Sequence, residues 1–240
     1  MLKKTDLGKC KKLLDSGLSL VCIGDKKIPN FPWKIRQTEA YTKEQFEKDW
    51  SYAGGIIKKD GSEIPATGGV GIVTGYNGIE VFDIDLKIFV SLKEQQDFWN
   101  EYVKFLSDNI NDFDDKFVIY KTVNNGYHII YRCAKIGGNE KVAKLKGHNE
   151  AIIETRGIGG YVFIYENQVS KKSYYEIQEI SELDRDVLFS VSRFYNYIEE
   201  KDQVIPEAHK KFDIPAIEVP TWVDYNNKTN ITDVLGNEFT

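Results

Sequence analysis

The chain has 240 residues, a formal net charge of −5 and a sequence isoelectric point near 5.4, and 41% of its residues are hydrophobic. This length and composition fit a globular protein of one domain or two lobes with a substantial core. The acidic balance argues against a protein whose main task is to grip long stretches of nucleic acid, because such proteins carry a basic surface. It does not exclude an enzyme that handles a few phosphates through metal ions.

The sequence also indicates where the protein is located and in what state its cysteines are. No window approaches the roughly 18 consecutive apolar residues of a membrane span, and the N-terminus lacks the apolar centre of a signal peptide. We therefore expect a cytoplasmic protein with no membrane partner. Cys10, Cys22 and Cys133 are odd in number and far apart, so we predict reduced structural thiols rather than disulfides or a zinc site.

The first quarter of the chain predicts short elements. Residues 7–16 indicate a basic helix ended by a glycine, and residues 18–23 a buried strand. Thr42 and Gln45 form a capping box, which starts a second helix. Residues 58–69 contain too many chain breakers for a regular element, so we expect a loop or a loose hairpin there.

Three pairs of apolar runs each flank a turn that contains glycine. The pairs are residues 70–75 with 79–85, residues 117–122 with 127–131, and residues 151–156 with 161–165. Such turns are typical of β-hairpins, so we predict that the two strands of each pair lie side by side.

Two longer helices complete the predicted domain. Ser91 and Glu94 form a capping box at the start of the first, whose apolar stripe should lie on the sheet. The second is predicted over residues 182–199, with these residues inward: Leu183, Val187, Leu188, Val191 and Phe194. Strand pairs flanked by helices favour an α+β domain over residues 1–200 with a largely antiparallel sheet. Residues 201–240 then predict an extended linker toward a further C-terminal region.

Two acidic residues close one of the apolar runs. Asp83 and Asp85 alternate with apolar residues, so in a strand they project from one face, roughly 6.5–7 Å apart. Two such carboxylates repel each other unless something cationic lies between them. A pair of divalent metal ions satisfies that requirement. The alternative is that the acids cap the next turn or lie in solvent.

Polar residues also occur in two other predicted strands. These are His128, and Glu154 with Arg156, which share a face by the period of two. If the strands are neighbours, the groups converge into a set suited to phosphoryl transfer: acids for metals and basic groups for a triphosphate. A structural histidine and a cross-strand salt bridge are the alternatives. The glycines of residues 157–160 fit a hairpin turn as well as a phosphate cradle.

The motifs together resemble a known family. Residues 122–131, Thr-Val-Asn-Asn-Gly-Tyr-His-Ile-Ile-Tyr, resemble the second motif of the bifunctional primase-polymerase domains of phages, plasmids and mobile elements, in the archaeo-eukaryotic primase superfamily. Asp83 and Asp85 in Val-Phe-Asp-Ile-Asp resemble the first motif, and Glu154 in Ile-Ile-Glu-Thr-Arg resembles the third. Residues 18–166 carry the motifs in the family's order. Further matches to the family's N-terminal pattern are Lys27, Pro29, Trp33, Trp50 and residues 71–75.

The resemblance implies a fold and a metal site. The fold would be a catalytic antiparallel sheet like that of an RNA-recognition motif, flanked by helices, with a small N-terminal αβ lobe. Asp83, Asp85 and Glu154 would be the catalytic carboxylates and would hold two Mg²⁺ or Mn²⁺ ions.

It also implies a nucleotide site. His128, with Arg156 assisting, would hold the phosphates of the incoming nucleotide. Thr122 and Asn124 would make secondary contacts, and Lys27 would contact the template or the nucleotide. Asn124 stands where the family usually has a serine, so an amide or the nearby Thr122 replaces a hydroxyl that would contact phosphate.

The function predicted from this resemblance is a template-directed DNA primase/polymerase that joins nucleoside triphosphates during phage, plasmid or mobile-element replication. Its partners would be a single-stranded DNA template, NTP or dNTP, and a helicase or helical primase region in the same longer polypeptide. The alternatives are a catalytically degenerate, replication-associated module that binds single-stranded DNA, and a metal-dependent nuclease or an Asp-x-Asp glycosyltransferase.

Overall fold

A computed structural model describes residues 5–24, 27–29, 31–51, 56–57, 63–64 and 69–197. The predicted linker over residues 201–240, the domain boundary near residue 200 and most of the predicted 58–69 loop lie outside these ranges. Among the described helices, none combines the length and the apolar character needed to cross a membrane.

The described part of the chain contains five α-helices and eleven strands. The helices are α1 (Leu7–Asp15), α2 (Lys43–Ser51), α3 (Leu92–Asn109), α4 (Phe113–Lys116) and α5 (Glu182–Phe194). The first strands are β1 (Leu20–Ile23), β2 (Ile56–Ile57), β3 (Glu63–Ile64), β4 (Gly69–Val73), β5 (Ile79–Ile84) and β6 (Val118–Lys121). The later strands are β7 (Tyr127–Arg132), β8 (Glu140–Lys144), β9 (Ala151–Arg156), β10 (Tyr161–Phe163) and β11 (Asn167–Gln168).

Both predicted capping boxes form. At α3, the Ser91 hydroxyl accepts from the Glu94 N–H at 3.1 Å, while the Glu94 carboxylate accepts from the Ser91 N–H at 3.0 Å. At α2, Thr42 and Gln45 exchange the same bonds at 3.2 and 3.1 Å. These bonds satisfy backbone donors that the first turn of a helix leaves free, so the local sequence determines where both helices begin.

The fold is mixed α+β with antiparallel sheets, as predicted. A six-stranded sheet has the order β11-β6-β7-β5-β9-β8, a three-stranded sheet has the order β1-β4-β10, and β2 and β3 form a separate two-stranded ribbon. All pairings between these strands are antiparallel.

The large sheet is packed on both faces, because its residues alternate between two cores. Val81 and Ile130 face a core shared with α1, α2 and the three-stranded sheet. Phe82 and Ile129 face the opposite way, into a core with α3 and α5. Strand β5 therefore lies at the centre of the molecule, and the small sheet covers the face that carries Val81.

Two of the three predicted hairpins are wrong. Strand β4 pairs with β1 and β10, whereas β5 pairs with β7 and β9. The turn between β4 and β5 contains Gly75, Asn77 and Gly78 at positive φ, and it carries the chain from the small sheet to the large one. Residues 157–160 carry it back, since β9 and β10 also belong to different sheets. Only β6 and β7 form the predicted hairpin.

The C-terminal helix and one strand also differ from the prediction. Helix α5 ends at Phe194, and residues 198–199 of the predicted helix lie outside the described part. Leu183, predicted inward, is 73% exposed because it lies in the first turn, before the helix reaches the buried positions that start at Leu188. Strand β8 was not predicted, since only Val142 and Ala143 of its five residues are buried.

Gly157→Ala is expected to lower the free energy of unfolding by about 1–3 kcal/mol, as overpacking does. A Cβ atom at Gly157 would lie 2.1 Å from the carbonyl oxygen of Gly137, which is backbone and cannot rotate away. Gly138→Ala is the control, because its nearest contact would be an ordinary 3.7 Å. Urea denaturation of both variants checks this, and equal stabilities would contradict it.

Candidate active site

The candidate site is centred on Asp83 in β5. This strand lies between β7 and β9, and Asp83 is directly opposite His128 on one side and Glu154 on the other. Directly opposed residues point to the same face, with Cβ atoms about 4.5–5.5 Å apart. The predicted convergence of these three residues is therefore observed, on the face that the small sheet covers.

Basic side chains lie beside the two acids of this row. Nη2 of Arg156 lies 2.6 Å from Oε2 of Glu154 and 3.6 Å from Oδ2 of Asp83. Nε2 of His128 lies 3.6 Å from Oδ1 of Asp83, which is an electrostatic contact and too long for a hydrogen bond. Asp83 thus lies between an imidazole and a guanidinium, and Arg156 links both carboxylates.

The pKa of Asp83 is lower than that of an ordinary aspartate. Burial acts in the opposite direction, but the adjacent His128 and then the charges of Arg156 and Lys27 outweigh it. The carboxylate is therefore kept ionised, which a ligand for a cation requires.

The His128 side chain is held between the sheet and an aromatic wall. It is 4% exposed, and its ring lies edge-on to the ring of Tyr165 with 5.2 Å between the centroids. Within the described ranges, its buried Nδ1 atom has no hydrogen-bond partner. A buried polar atom without a partner is costly in a purely structural residue, so His128 is better suited to receiving a ligand.

Asp85 is paired with Lys87, unlike Asp83 and Glu154, which lie beside Arg156. Its Oδ1 accepts from the Lys87 N–H at 3.2 Å, and its Oδ2 lies 3.0 Å from Nζ of Lys87. Lys87 also contacts Glu150 at 2.6 Å. Asp85 therefore caps the turn after β5, as the alternative interpretation of the sequence states.

A cleft of about 400 Å³ brings most of the predicted residues together. The predicted site residues that line it are Lys27, Asp83, Asp85, Thr122, Asn124, His128 and Arg156. Glu154 does not line the cleft and is connected to it through its ion pair with Arg156.

The β6–β7 turn places two of these residues at the cleft. The Thr122 N–H donates to the carbonyl of Gly126 at 2.8 Å, and Asn125 adopts a positive φ of 63°. A Cβ atom at Gly126 would lie 2.3 Å from the carbonyl of Ile84, so only glycine lets the turn approach the end of β5 so closely. Thr122 and Asn124 are thereby held beside the acids.

Lys27 lies beside β10 and the residues that follow this strand. Its Nζ donates to the hydroxyl of Tyr165 at 3.0 Å, and its carbonyl accepts from the hydroxyl of Tyr161 at 2.9 Å. Lys27, Tyr161 and Tyr165 all line the cleft. The two tyrosines thus fix both the backbone and the ammonium group of Lys27.

Three lining residues with polar side chains were missed from the sequence: Asn139, Tyr161 and Tyr165. The period of two along residues 161–165 could have placed the two tyrosines on one face. Asn139 accepts from the Gly157 N–H at 3.2 Å, a contact that no local pattern reveals.

The chemistry of the acids suits a hard divalent cation, although their present orientation does not. Carboxylate oxygens are the ligands that Mg²⁺ and Mn²⁺ prefer, and Asp83 and Glu154 are side-by-side neighbours. Among the residues that the structure describes, no three His, Cys, Asp or Glu side chains lie close enough together to hold a metal ion. Asp85 would have to leave Lys87, and Glu154 would have to leave Arg156, to join such a group.

The lowered pKa of Asp83 predicts a specific pH dependence. Its ionised form stabilises the native state fully above the unfolded pKa of about 3.9, and this contribution is lost as the pH falls through the lower native pKa. Unfolding free energies of the wild type and Asp83→Asn, measured with urea in EDTA, should therefore converge below about pH 4. A difference that stays constant down to about pH 2.5 would contradict this.

Comparison with known proteins gives no family: no protein-family model matches the chain, and no curated protein matches it.

Proposed function

We propose that this chain is a template-directed primase or polymerase, a nucleotidyltransferase that joins nucleoside triphosphates with the help of divalent cations. The observation that carries the proposal is the register of three strands, which places His128, Asp83 and Glu154 side by side in one row. The order and spacing of the three motifs in the sequence support the same function.

The strand order supports a catalytic sheet like that of an RNA-recognition motif. Strand β5, helix α3, the short helix α4 and strands β6 and β7 follow one another along the chain, with β7 lying between β5 and β6 in the sheet. Apart from the short α4, this matches the first four elements of a β-α-β-β-α-β arrangement, and β9 adds the fourth strand beside β5. The second helix of that arrangement would be α5, which packs on the same face as α3 but follows β9 in the chain.

The acidic residues would hold the cations. Asp83 and Glu154 supply carboxylates from adjacent strands, and Asp85 supplies a third from the turn after β5. Mg²⁺ or Mn²⁺, when bound, would offset the charge of the triphosphate and lower the pKa of the attacking hydroxyl. Asp83 is the central member, because it contacts both the imidazole and the guanidinium.

The basic residues would hold the triphosphate. Arg156 and Lys27 bring positive charge into the cleft, and His128 borders Asp83 from the neighbouring strand. Thr122 and Asn124, at the turn beside the acids, would donate secondary hydrogen bonds to phosphate oxygens. The cleft volume of about 400 Å³ falls within the roughly 300–1,000 Å³ of small-ligand sites.

Nucleotide incorporation on a single-stranded DNA template tests the proposal. Labelled dNTP and NTP are supplied separately, with and without a primer, in Mg²⁺, Mn²⁺ or EDTA. Low salt is used because the acidic chain is expected to hold the template weakly. The proposal predicts template-dependent products in a divalent cation and none in EDTA, whereas absence of products in all conditions would overturn it.

A degenerate module that binds single-stranded DNA is the second candidate. It is favoured by one observation, that the three acids are already paired with Arg156 and Lys87. In such a module the acids are a structural cluster, so Mn²⁺ would not change the melting temperature. A rise in melting temperature with Mn²⁺ that Asp83→Asn abolishes would exclude this candidate, because only a ligand of the native state stabilises it.

A further inference from the structure

The candidate metal ligands are already paired with basic side chains of the protein itself. Arg156 lies against both Glu154 and Asp83, at 2.6 and 3.6 Å. These side chains are all partly buried, with exposed fractions of 33%, 24% and 28% respectively. Screening by water is therefore reduced, and the guanidinium offsets the repulsion between two adjacent carboxylates.

Lys87, the second basic residue paired with a candidate ligand, is held less firmly than Arg156. The ion pairs of Lys87 with Asp85 and Glu150 have exposed fractions of 52%, 38% and 64% for the three side chains in that order. Exposed pairs of this kind contribute little to stability. The stronger obstacle to a cation is therefore Arg156.

A guanidinium and a divalent cation oppose each other at the same carboxylate oxygens, because both are attracted to the same lone pairs and repel each other. Arg156 donates to Oε2 of Glu154, and its Nη2 also approaches Oδ2 of Asp83. A cation bound by both residues would have to take lone pairs from these carboxylates, and its charge would repel the guanidinium at short range. Cation and Arg156 therefore compete for the pair.

We propose that Arg156 is an internal counter-ion that a divalent cation displaces from Glu154 and Asp83, and that the released guanidinium then binds the triphosphate. This proposal rests on the proposed function, because it requires a cleft that binds both a divalent cation and a triphosphate. It assigns Arg156 first to the carboxylates and then to the triphosphate. Arg156 lines the cleft, so its guanidinium remains beside the substrate site after release. Cation binding is thus expected to precede full engagement of the triphosphate.

The test measures Mn²⁺ binding without nucleotide, from the loss of the free-ion electron paramagnetic resonance signal. Arg156→Gln and Arg156→Met are compared with the wild type and with Lys141→Gln. Lys141 is the matched control, because it faces Glu154 from the neighbouring strand β8, is exposed, and has no ion pair with any residue the structure describes. Asp83→Asn serves as the variant without the central ligand.

The two Arg156 variants are expected to bind Mn²⁺ about five- to tenfold more tightly than the wild type, because the positive charge that competes at Glu154 and Asp83 is removed. Lys141→Gln should change the affinity less than about twofold, because a nearby exposed charge acts only through a screened field. Equal effects of the Arg156 and Lys141 variants, or weaker binding by the Arg156 variants, would overturn the proposal. Those results would leave the proposed function standing as long as Asp83→Asn weakens Mn²⁺ binding.

Absence of Mn²⁺ binding in every protein would overturn both the counter-ion proposal and the metal site. A second measurement covers variants that fail to fold. Mg²⁺ is titrated into the wild type, and the side-chain Nε–Hε signals of its arginines are followed by NMR, with Arg156 assigned from Arg156→Lys. The proposal predicts that the Arg156 signal shifts as Mg²⁺ saturates the site, and an unchanged signal at saturation would contradict it.

Discussion

Asp83→Asn is expected to reduce nucleotide incorporation by about a thousandfold or more, the size of effect seen when a central catalytic group is removed. Asparagine has nearly the same shape, but it lacks the negative charge that lies between His128 and Arg156. The neutral amide also binds a divalent cation much more weakly than a carboxylate does. Primer extension with the cation that best supports the wild type measures the effect.

Asp97→Asn is the matched control for this variant. Asp97 is an exposed acid on α3 that pairs with Lys93 one turn earlier on the same helix. Its removal changes the net charge by the same amount without touching the cleft, so activity should stay within about twofold of the wild type. Retention of activity by a folded Asp83→Asn protein would contradict the assignment of Asp83.

Arg185→Met is expected to lower the free energy of unfolding by about 3–5 kcal/mol, because it leaves a buried carboxylate without its counter-ion. Glu80 is fully buried and accepts from Nε and Nη2 of Arg185 at 2.7 and 3.0 Å. It also accepts from the hydroxyl of Tyr131 and from the Gly137 N–H. This network ties β5 and β7 to α5 on the face opposite the cleft.

Arg193→Met on the same helix is the control. Arg193 pairs with Glu140, and both side chains are about half exposed, with fractions of 56% and 49%. Such a pair contributes at most about 1 kcal/mol. Urea denaturation of the two variants should therefore separate them clearly, whereas equal losses would show that the Glu80 network is not a special source of stability.

The candidate site was largely predictable because its elements are encoded locally. The period of two put Asp83 on a defined face of its strand, and apolar runs interrupted by His128 and by Glu154 marked two other strands. What those patterns could not give is which strand lies next to which. The observed register supplies that information by placing both residues opposite Asp83.

The errors in the predicted fold have a common physical cause. A glycine-rich turn shows that the chain changes direction, but not whether the strands it joins pair with each other. The turns after β4 and β9 lead from one sheet to the other, which depends on contacts distant in sequence, such as that between Gly157 and Gly137. For the same reason the pairing of Glu80 with Arg185, 105 residues away, could not be predicted.

The position of a bound metal ion decides whether Asp83 and Glu154 form a cation site. Crystals soaked with Mn²⁺ and a nucleoside triphosphate would be examined for anomalous scattering from manganese. We predict a peak within coordination distance of carboxylate oxygens of both Asp83 and Glu154, with the triphosphate beside His128 and Arg156. Manganese bound only elsewhere, or no peak at a concentration that supports binding in solution, would contradict the account.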